Sequence, residues 1–412
     1  MLRTLRSLTL ILPILFLTGC LKDQVKHHYS YFKPVYKTRA EVQASARSIT
    51  PEDISTPGKL FIRGNFAYLN EVDKGIHIID FTNPASPKNI SFLRIPGCQD
   101  MAVRGNYLYA DCYTDLVTVD ITDPRNAVVK QFIEGVFPHR RYNYGFMADT
   151  SKIIAEWKRV DTVVTSVMPG LYNGGILAGG DMSVRASSAS SAVSNGTGGS
   201  MARFGLLDDR MYTVSWSDLK VFNTGNPAMP AYVKNIPMNQ GDIETIFPYQ
   251  NKLFIGSQTG MYIFDATVKD NPVKLGQFTH ARACDPVVAD DTHAYVTLRS
   301  NSFCAGFVNQ LDVIDIGTIT APRLLKTYPM TGPAGLAKDG NLLFICDGSE
   351  GLRILDATKP DNITQIRQIG GIQTYDVIAT NGIALTVARD GLYFISYADP
   401  AKAQVVGKIT VN

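Results

Sequence analysis

The sequence is short of several things, and each shortage excludes a class of protein. Charge of one sign is missing: 40 Lys and Arg stand against 37 Asp and Glu, a formal net charge of +3. A dedicated nucleic-acid binder carries a clear basic excess or stripe, so nucleic acid is not the expected partner. Long apolar runs are missing too. The run Leu8 to Leu17 covers about ten residues, too few to cross a hydrocarbon layer of ~30 Å as a helix. Catalytic signatures are also missing: there is no His-Glu-x-x-His helix, no Gly-x-Ser-x-Gly elbow and no phosphate loop. Between Gly256 and Gly260 the serine is Ser257, the wrong place for an elbow, and the segment reads as a turn between strands. The pairs Gly174-Gly175 and Gly179-Gly180 neither follow a strand nor open a helix. Of the six His, only the adjacent His27 and His28 have close metal-ligand spacing. His77 falls in a strand pattern; His280, just ahead of Cys284 and Asp285, is the histidine of interest. No catalytic residue, metal or cofactor is expected from motifs, and the balance tips away from an enzyme.

What is present points to structure. A 45% hydrophobic content suffices for a core and excludes wholesale disorder. Aromatics at 10%, with 34 Gly and 21 Pro, favour an all-β chain rich in turns. One unit then recurs along the chain: a short apolar strand with alternating character, ending in Asp and followed by a proline turn. The copies are Gly75 to Asp80, Asp115 to Asp120, Asp218 to Asn223, Gly260 to Asp265, Gln310 to Asp315, Gly351 to Asp356 and Gly391 to Ser396. Pro84, Pro124, Pro227, Pro272, Pro322, Pro360 and Pro400 close the turns. An upstream strand pair, as in 100–111, and a fourth strand, as in Ile90 to Ile95, complete each unit. A period of roughly 40–45 residues is that of a four-stranded propeller blade. The expected fold is therefore an all-β, seven-bladed β-propeller of four-stranded blades over residues 58–412, with one long insertion at 137–200. The insertion begins Phe137-Pro138-His139-Arg140, holds an expected hairpin from Lys152 to Thr165, and ends in a flexible Ser/Gly composition through Ser200. The recurring Asp80, Asp120, Asp265, Asp315 and Asp356 read as turn caps rather than calcium ligands.

The chain opens with Arg3 and Arg6, the apolar run, and then Leu17-Thr18-Gly19-Cys20. This resembles a bacterial lipobox. The resemblance implies a signal peptide at 1–19, cleavage before Cys20, lipidation of its thiol, and membrane attachment through that anchor. Residues 20–57 then read as a tether carrying Tyr29, Tyr31, Phe32 and Tyr36 that packs partly on the ring. Leu21 is not the Asp associated with inner-membrane retention, so an outer-membrane lipoprotein of the cell envelope is expected. The Lys22-Asp23 pair resembles a surface-export tag. The repeats themselves resemble the bacterial LVIVD-repeat surface lipoproteins, through Leu116 to Asp120 and its sisters, Leu108 to Asp111, Cys284 to Val288 and Phe344 to Gly348. That resemblance implies a propeller and an envelope location, and no activity.

Five cysteines remain beyond Cys20. Strand positions suggest two disulfides, Cys98 with Cys112 and Cys284 with Cys304, and leave Cys346 as a buried thiol. Counting back from the second strand of each unit brings Lys59, Asp100, Arg203, Glu244, Asp285, Gly335 and Asp376 to one mouth of the central channel. These charges would either neutralise one another as a plug or hold a polar ligand or cation. The function expected is binding or scaffolding at the envelope by a monomer, with an envelope protein or a saccharide as partner. The alternatives are a metal-assisted hydrolase or lyase using Asp100, Glu244 and Asp285, and an assembly part whose disc faces pack on other proteins.

Overall fold

The computed structural model describes residues 25–138, 140, 142, 152–166, 196–238, 241–280, 286–300 and 307–411. The chain divides into two compact units, one of residues 36–155 and 180–412, the other of residues 1–35 and 156–179. The larger unit is a seven-bladed propeller of antiparallel sheets. The innermost strands of blades 1 to 7 are Pro57–Arg63, Met101–Arg104, Phe204–Leu207, Ile243–Tyr249, Val287–Ala289, Leu336–Asp339 and Thr374–Thr380. Each touches the next, and the seventh touches the first, so the ring is closed.

The recurring apolar segments are the third strands: Gly75–Asp80, Asp115–Asp120, Asp218–Asn223, Gly260–Asp265, Gln310–Asp315, Leu352–Asp356 and Gly391–Ser396. They are buried nearly end to end rather than on alternate residues. The reason is that each blade is covered on both faces by its neighbours. The hydrophobic clusters accordingly straddle blades: one joins Leu60, Leu69 and Ile79 of blade 1 to Leu385, Leu392 and Phe394 of blade 7. Tyrosine hydroxyls reinforce the seams. Tyr109 donates to the Pro227 carbonyl at 2.8 Å, and Tyr212 to the Lys269 carbonyl at 2.8 Å, each reaching the outer turn of the next blade. At the outer turns Asp80, Asp120 and Asp265 each accept from the amide and hydroxyl of the Thr two residues on, at 2.6–3.0 Å. Asp315 and Asp356 accept the amides of Gly317 and Thr358. The repeated carboxylates are turn caps.

Among the described residues no strand is exchanged between the chain's two ends: the four strands of blade 1 proper lie within Pro57–Arg94 and those of blade 7 within Thr374–Thr410. The seam is closed by the apolar cluster, by an isolated parallel bridge between Ile54 and Val411, and by Gly407 lying tight against the Pro84 carbonyl. The leader adds a clasp. A helix, Arg39–Ser45, is started by a capping box of Thr38 and Glu41, and Arg47–Ile49 extends blade 1 at its outer edge. Glu71 then collects Ser55 Oγ at 2.5 Å, the amides of Ser55 and Thr56, Lys74 and His77. Burial alone would raise this carboxyl, but those hydrogen bonds outweigh it and hold it down to about 2.

Three expectations are corrected. Lys152 to Thr165 is not a hairpin: Ile153–Ser166 is one strand, paired with Val25–Lys37 in a two-stranded sheet. The segment holds no Gly, Pro or Asn, and its one Asp, Asp161, is engaged by Arg159 and by Ser30 of the partner strand instead of capping a turn. Second, Cys98 and Cys112 are free, buried thiols. Cys98 Sγ is engaged by Asn70 Nδ2 at 3.4 Å and the Asp100 carbonyl at 3.7 Å. Burial pushes its pKa well up and that of Cys112 to about 12. Cys346 is a buried free thiol, while Cys284 and Cys304 lie outside the described residues.

The third correction concerns the end of the insertion. Thr197–Gly198 pairs with Phe61 and Ile62 on the inner edge of blade 1, and 198–202 are buried. Gly196 N donates to the Val103 carbonyl of blade 2 at 2.8 Å. Ser200 Oγ accepts the Leu336 amide of blade 6 at 2.9 Å, and the Ala202 carbonyl accepts the Ile246 amide of blade 4 at 2.6 Å. Inner strands from four blades thus hold this segment along the propeller axis. Its glycines are required by proximity, since a Cβ on Gly198 would lie 2.9 Å from the Phe61 ring. Gly198→Val should lower stability by about 1–3 kcal/mol in a denaturant melt. A silent substitution would mean the segment does not fill the axis.

Candidate functional site at the channel mouth

The innermost strands start at one face of the ring, and the second strands end there. The alignment that predicted converging charges holds for the first three blades. Lys59 Nζ donates to Asp100 Oδ2 at 2.7 Å, and both residues are buried. Asp100 Oδ2 also accepts the Arg203 amide at 2.5 Å, with Arg203 Nε at 3.8 Å, and Oδ1 accepts the Met101 amide. The Arg203 guanidinium reaches on to Asp111 Oδ2 at 3.0 Å.

Sequence reasoning missed the next links. Arg140 Nη1 lies 3.5 Å from Asp111 Oδ2, and Nη2 lies 2.5 Å from Asp73 Oδ1. Its Nη1 also donates to the Gly97 carbonyl, and its guanidinium stands over the rings of Tyr113 at 5.3 Å and Tyr142 at 6.0 Å. Gly97 has φ +75°, and the Tyr113 ring occupies the space a side chain would take, so only glycine presents its carbonyl here. Burial works against the charge of Arg140, but Asp73 and Asp111 more than offset it. Asp111 is further held by the amides of Gln99 and Asp100 at 2.7 and 2.8 Å. The mouth therefore carries an alternating chain: Lys59, Asp100, Arg203, Asp111, Arg140, Asp73. A cue existed in the Phe137-Pro138-His139-Arg140-Arg141-Tyr142 cluster, but nothing local says which arginine turns inward.

The rest of the predicted ring is arranged differently. Glu244 is half-buried and accepts from Gln258 Nε2 at 3.0 Å. Asp376 is buried beside Gly335, where a Cβ on the glycine would come within 2.1 Å of Asp376 Oδ1. Asp285 lies outside the described residues. His280 sits 6.4 Å from the Phe278 ring, and its amide donates to the Thr259 carbonyl at 3.2 Å. His77 is buried in the leader clasp between Glu71 and Asn89. Among the described residues no group of three His, Cys, Asp or Glu side chains is placed to hold a metal.

Two segments, 58–91 and 97–131, match the family model described as LVIVD repeat. They cover blades 1 and 2, so the chain carries LVIVD repeats and sets them in a propeller. No curated protein matches the chain. Several solved structures share the fold. The computationally designed Ika8 protein is 10% identical, covers 89% of this chain and 92% of its own, and has a TM-score of 0.52. A functionally unknown protein from Desulfotomaculum acetoxidans is 11% identical, with 84% and 95% covered and a TM-score of 0.53. A protein from Lactobacillus plantarum is 12% identical, with 89% and 98% covered and a TM-score of 0.53. At such identities the likeness is one of fold alone.

The ion chain makes a testable claim. Lys59→Met should cost about 3 kcal/mol, because it leaves Asp100 buried with less positive charge, and Asp100→Asn should cost a similar amount. The double mutant should recover most of the loss in denaturant melts; additive losses would show that the two do not couple. Burial holds Lys59 down to about 8 although Asp100 works to raise it. The folded value lies below the usual 10.5, so the unfolded chain binds more protons between the two. Stability of the wild type should therefore rise relative to Lys59→Met as pH climbs from about 8 towards 10.5.

Proposed function

We propose that this LVIVD-repeat propeller is an outer-membrane-anchored binding or scaffolding module of the cell envelope. One observation carries the reading: the charges at the channel mouth of blades 1 to 3 are spent on one another. Lys59, Asp100 and Arg203 act there as a plug, and recognition moves outward to the loops of the ring and to the insertion. Glu244 and Asp376 on the remaining arc, together with Asp285 by its place in the sequence repeat, are where a saccharide hydroxyl or a cation would be held if the mouth takes a ligand. No observation favours the hydrolase or lyase alternative, because Asp100 is occupied by Lys59 and Arg203. The envelope address rests on Leu17-Thr18-Gly19-Cys20 at the end of a short apolar run.

Cys20→Ala should release the protein from membranes or leave it unprocessed, since buried acyl chains supply the affinity. A processed chain of this variant that still fractionates with membranes would refute the anchor. Thermal-shift screening of purified protein against saccharides, peptides and divalent cations addresses the binding role. A shift with a saccharide or peptide, at substoichiometric metal content, is expected. A stoichiometric divalent cation would overturn it in favour of metal-assisted chemistry.

A further inference from the structure

We infer that the two-stranded ribbon of Val25–Lys37 and Ile153–Ser166 is a lipid-headgroup contact surface, laid on anionic lipid beside the acyl anchor. The inference rests on the anchor reading for its location and on the ribbon's own surface for its chemistry. The sheet contains only these two strands, so each has an outer edge without a strand neighbour among the described residues. A lone pair of strands is marginal in water and gains from being laid on something. Its side chains are unusually bare: Tyr29 and Tyr31 are 50% exposed, Val163 47% and Phe32 44%. Aromatic rings with a polar tip favour the boundary between headgroup and acyl chain.

Exposed cations accompany the aromatics on both faces: Lys33 and Lys158 with Tyr29 and Tyr31 on one, Arg159 with Phe32 and Val163 on the other. Arg159 Nε and Asp161 Oδ1 pair with each other at 3.0 Å, with Ser30 Oγ donating to Asp161 at 2.5 Å, so the excess positive charge comes from Lys33 and Lys158 against the exposed Glu156. A cationic, aromatic ribbon is complementary to anionic headgroups, each nearby Lys or Arg strengthening the attraction roughly fivefold. Reach fits as well. Cys20 precedes Tyr29 by few enough residues that even a fully extended chain keeps the ring within about 30 Å of the acylated thiol. The anchor thus delivers the ribbon to the headgroup layer at high effective concentration.

The two tryptophans provide the measurement, because Trp157 lies in the ribbon and Trp216 in the propeller. The chain from residue 20 onward, carrying Cys20→Ser and Trp216→Phe, leaves Trp157 as the sole reporter and removes the acyl anchor. With vesicles of phosphatidylethanolamine and phosphatidylglycerol, Trp157 emission should shift to the blue and be quenched by brominated acyl chains. Binding to phosphatidylcholine vesicles should be weaker. Tyr29→Ser/Tyr31→Ser/Phe32→Ser should reduce partitioning at least about tenfold, and Lys33→Gln/Lys158→Gln on the order of tenfold with loss of salt sensitivity. Unchanged thermal melts of both variants guard against misfolding. No shift with anionic vesicles, or undiminished partitioning of the triple variant, overturns the inference. So does a ribbon that captures β-strand peptides and ignores vesicles. In each case membrane fractionation of the acylated wild type, compared with Cys20→Ala, reports on the anchor separately.

Discussion

Covering both faces of every blade is the constraint on which the rest depends. A blade whose third strand is buried end to end has no polar side to offer water, and alone it would aggregate through its faces and its edge. The solution is mutual cover, with apolar clusters lying between blades rather than within them. Seam hydrogen bonds such as Tyr109 to the Pro227 carbonyl fix the rotation of one blade against the next. Because cover is pairwise, the ring needs all of its members, and the seam between blades 7 and 1 carries the same kind of contact as any other.

Closing such a ring leaves a hole, and the hole is where polar groups become costly. The strand starts that converge there bring charges out of water, a desolvation of several kcal/mol for each ion if unmatched. The alternation Lys59, Asp100, Arg203, Asp111, Arg140, Asp73 meets that cost by giving every ion opposite neighbours, and Asp100 and Asp111 accept backbone amides as well. Two of these residues lie in blade 1, two in blade 2, one at the start of blade 3 and one in the inserted chain. The network therefore ties the inserted chain, through Arg140, to three consecutive blades.

Much of the ring was legible in the sequence because its signals are local. The third strands coincide with the recurring apolar segments to within a residue, since Pro and Asx chemistry ends each one at a fixed place. Lys59, Asp100 and Arg203 were legible as a cluster because strand register is set by the repeat. What was hidden depends on distance. Nothing around Arg140 says that its guanidinium meets Asp73 and Asp111, and nothing in Gly196 to Ser200 distinguishes a linker from a segment pressed against Phe61. Glycine supplies both freedom and close approach, and composition reads only the first. That Cys98 and Cys112 stand beside the ends of a strand hairpin was legible; that Cys98 Sγ meets Asn70 and the Asp100 carbonyl was not.

The axial segment also imposes an order of construction. It is synthesised after blades 1 and 2 and before blades 3 to 7, so its partner strand in blade 1 precedes it and its partners in blades 4 and 6 follow it. The later blades are thus wound around a preset core, as cloth on a mandrel, with Ile246 and Leu336 finding their acceptors on it as they arrive. A finished ring gives no side entrance for a chain that is continuous at both ends. The mandrel must be in place early, and a nascent chain that lays it down wrongly has to reopen seams to correct it. In this architecture the sequence position of the long insertion, between the second and third blades, is itself a folding instruction.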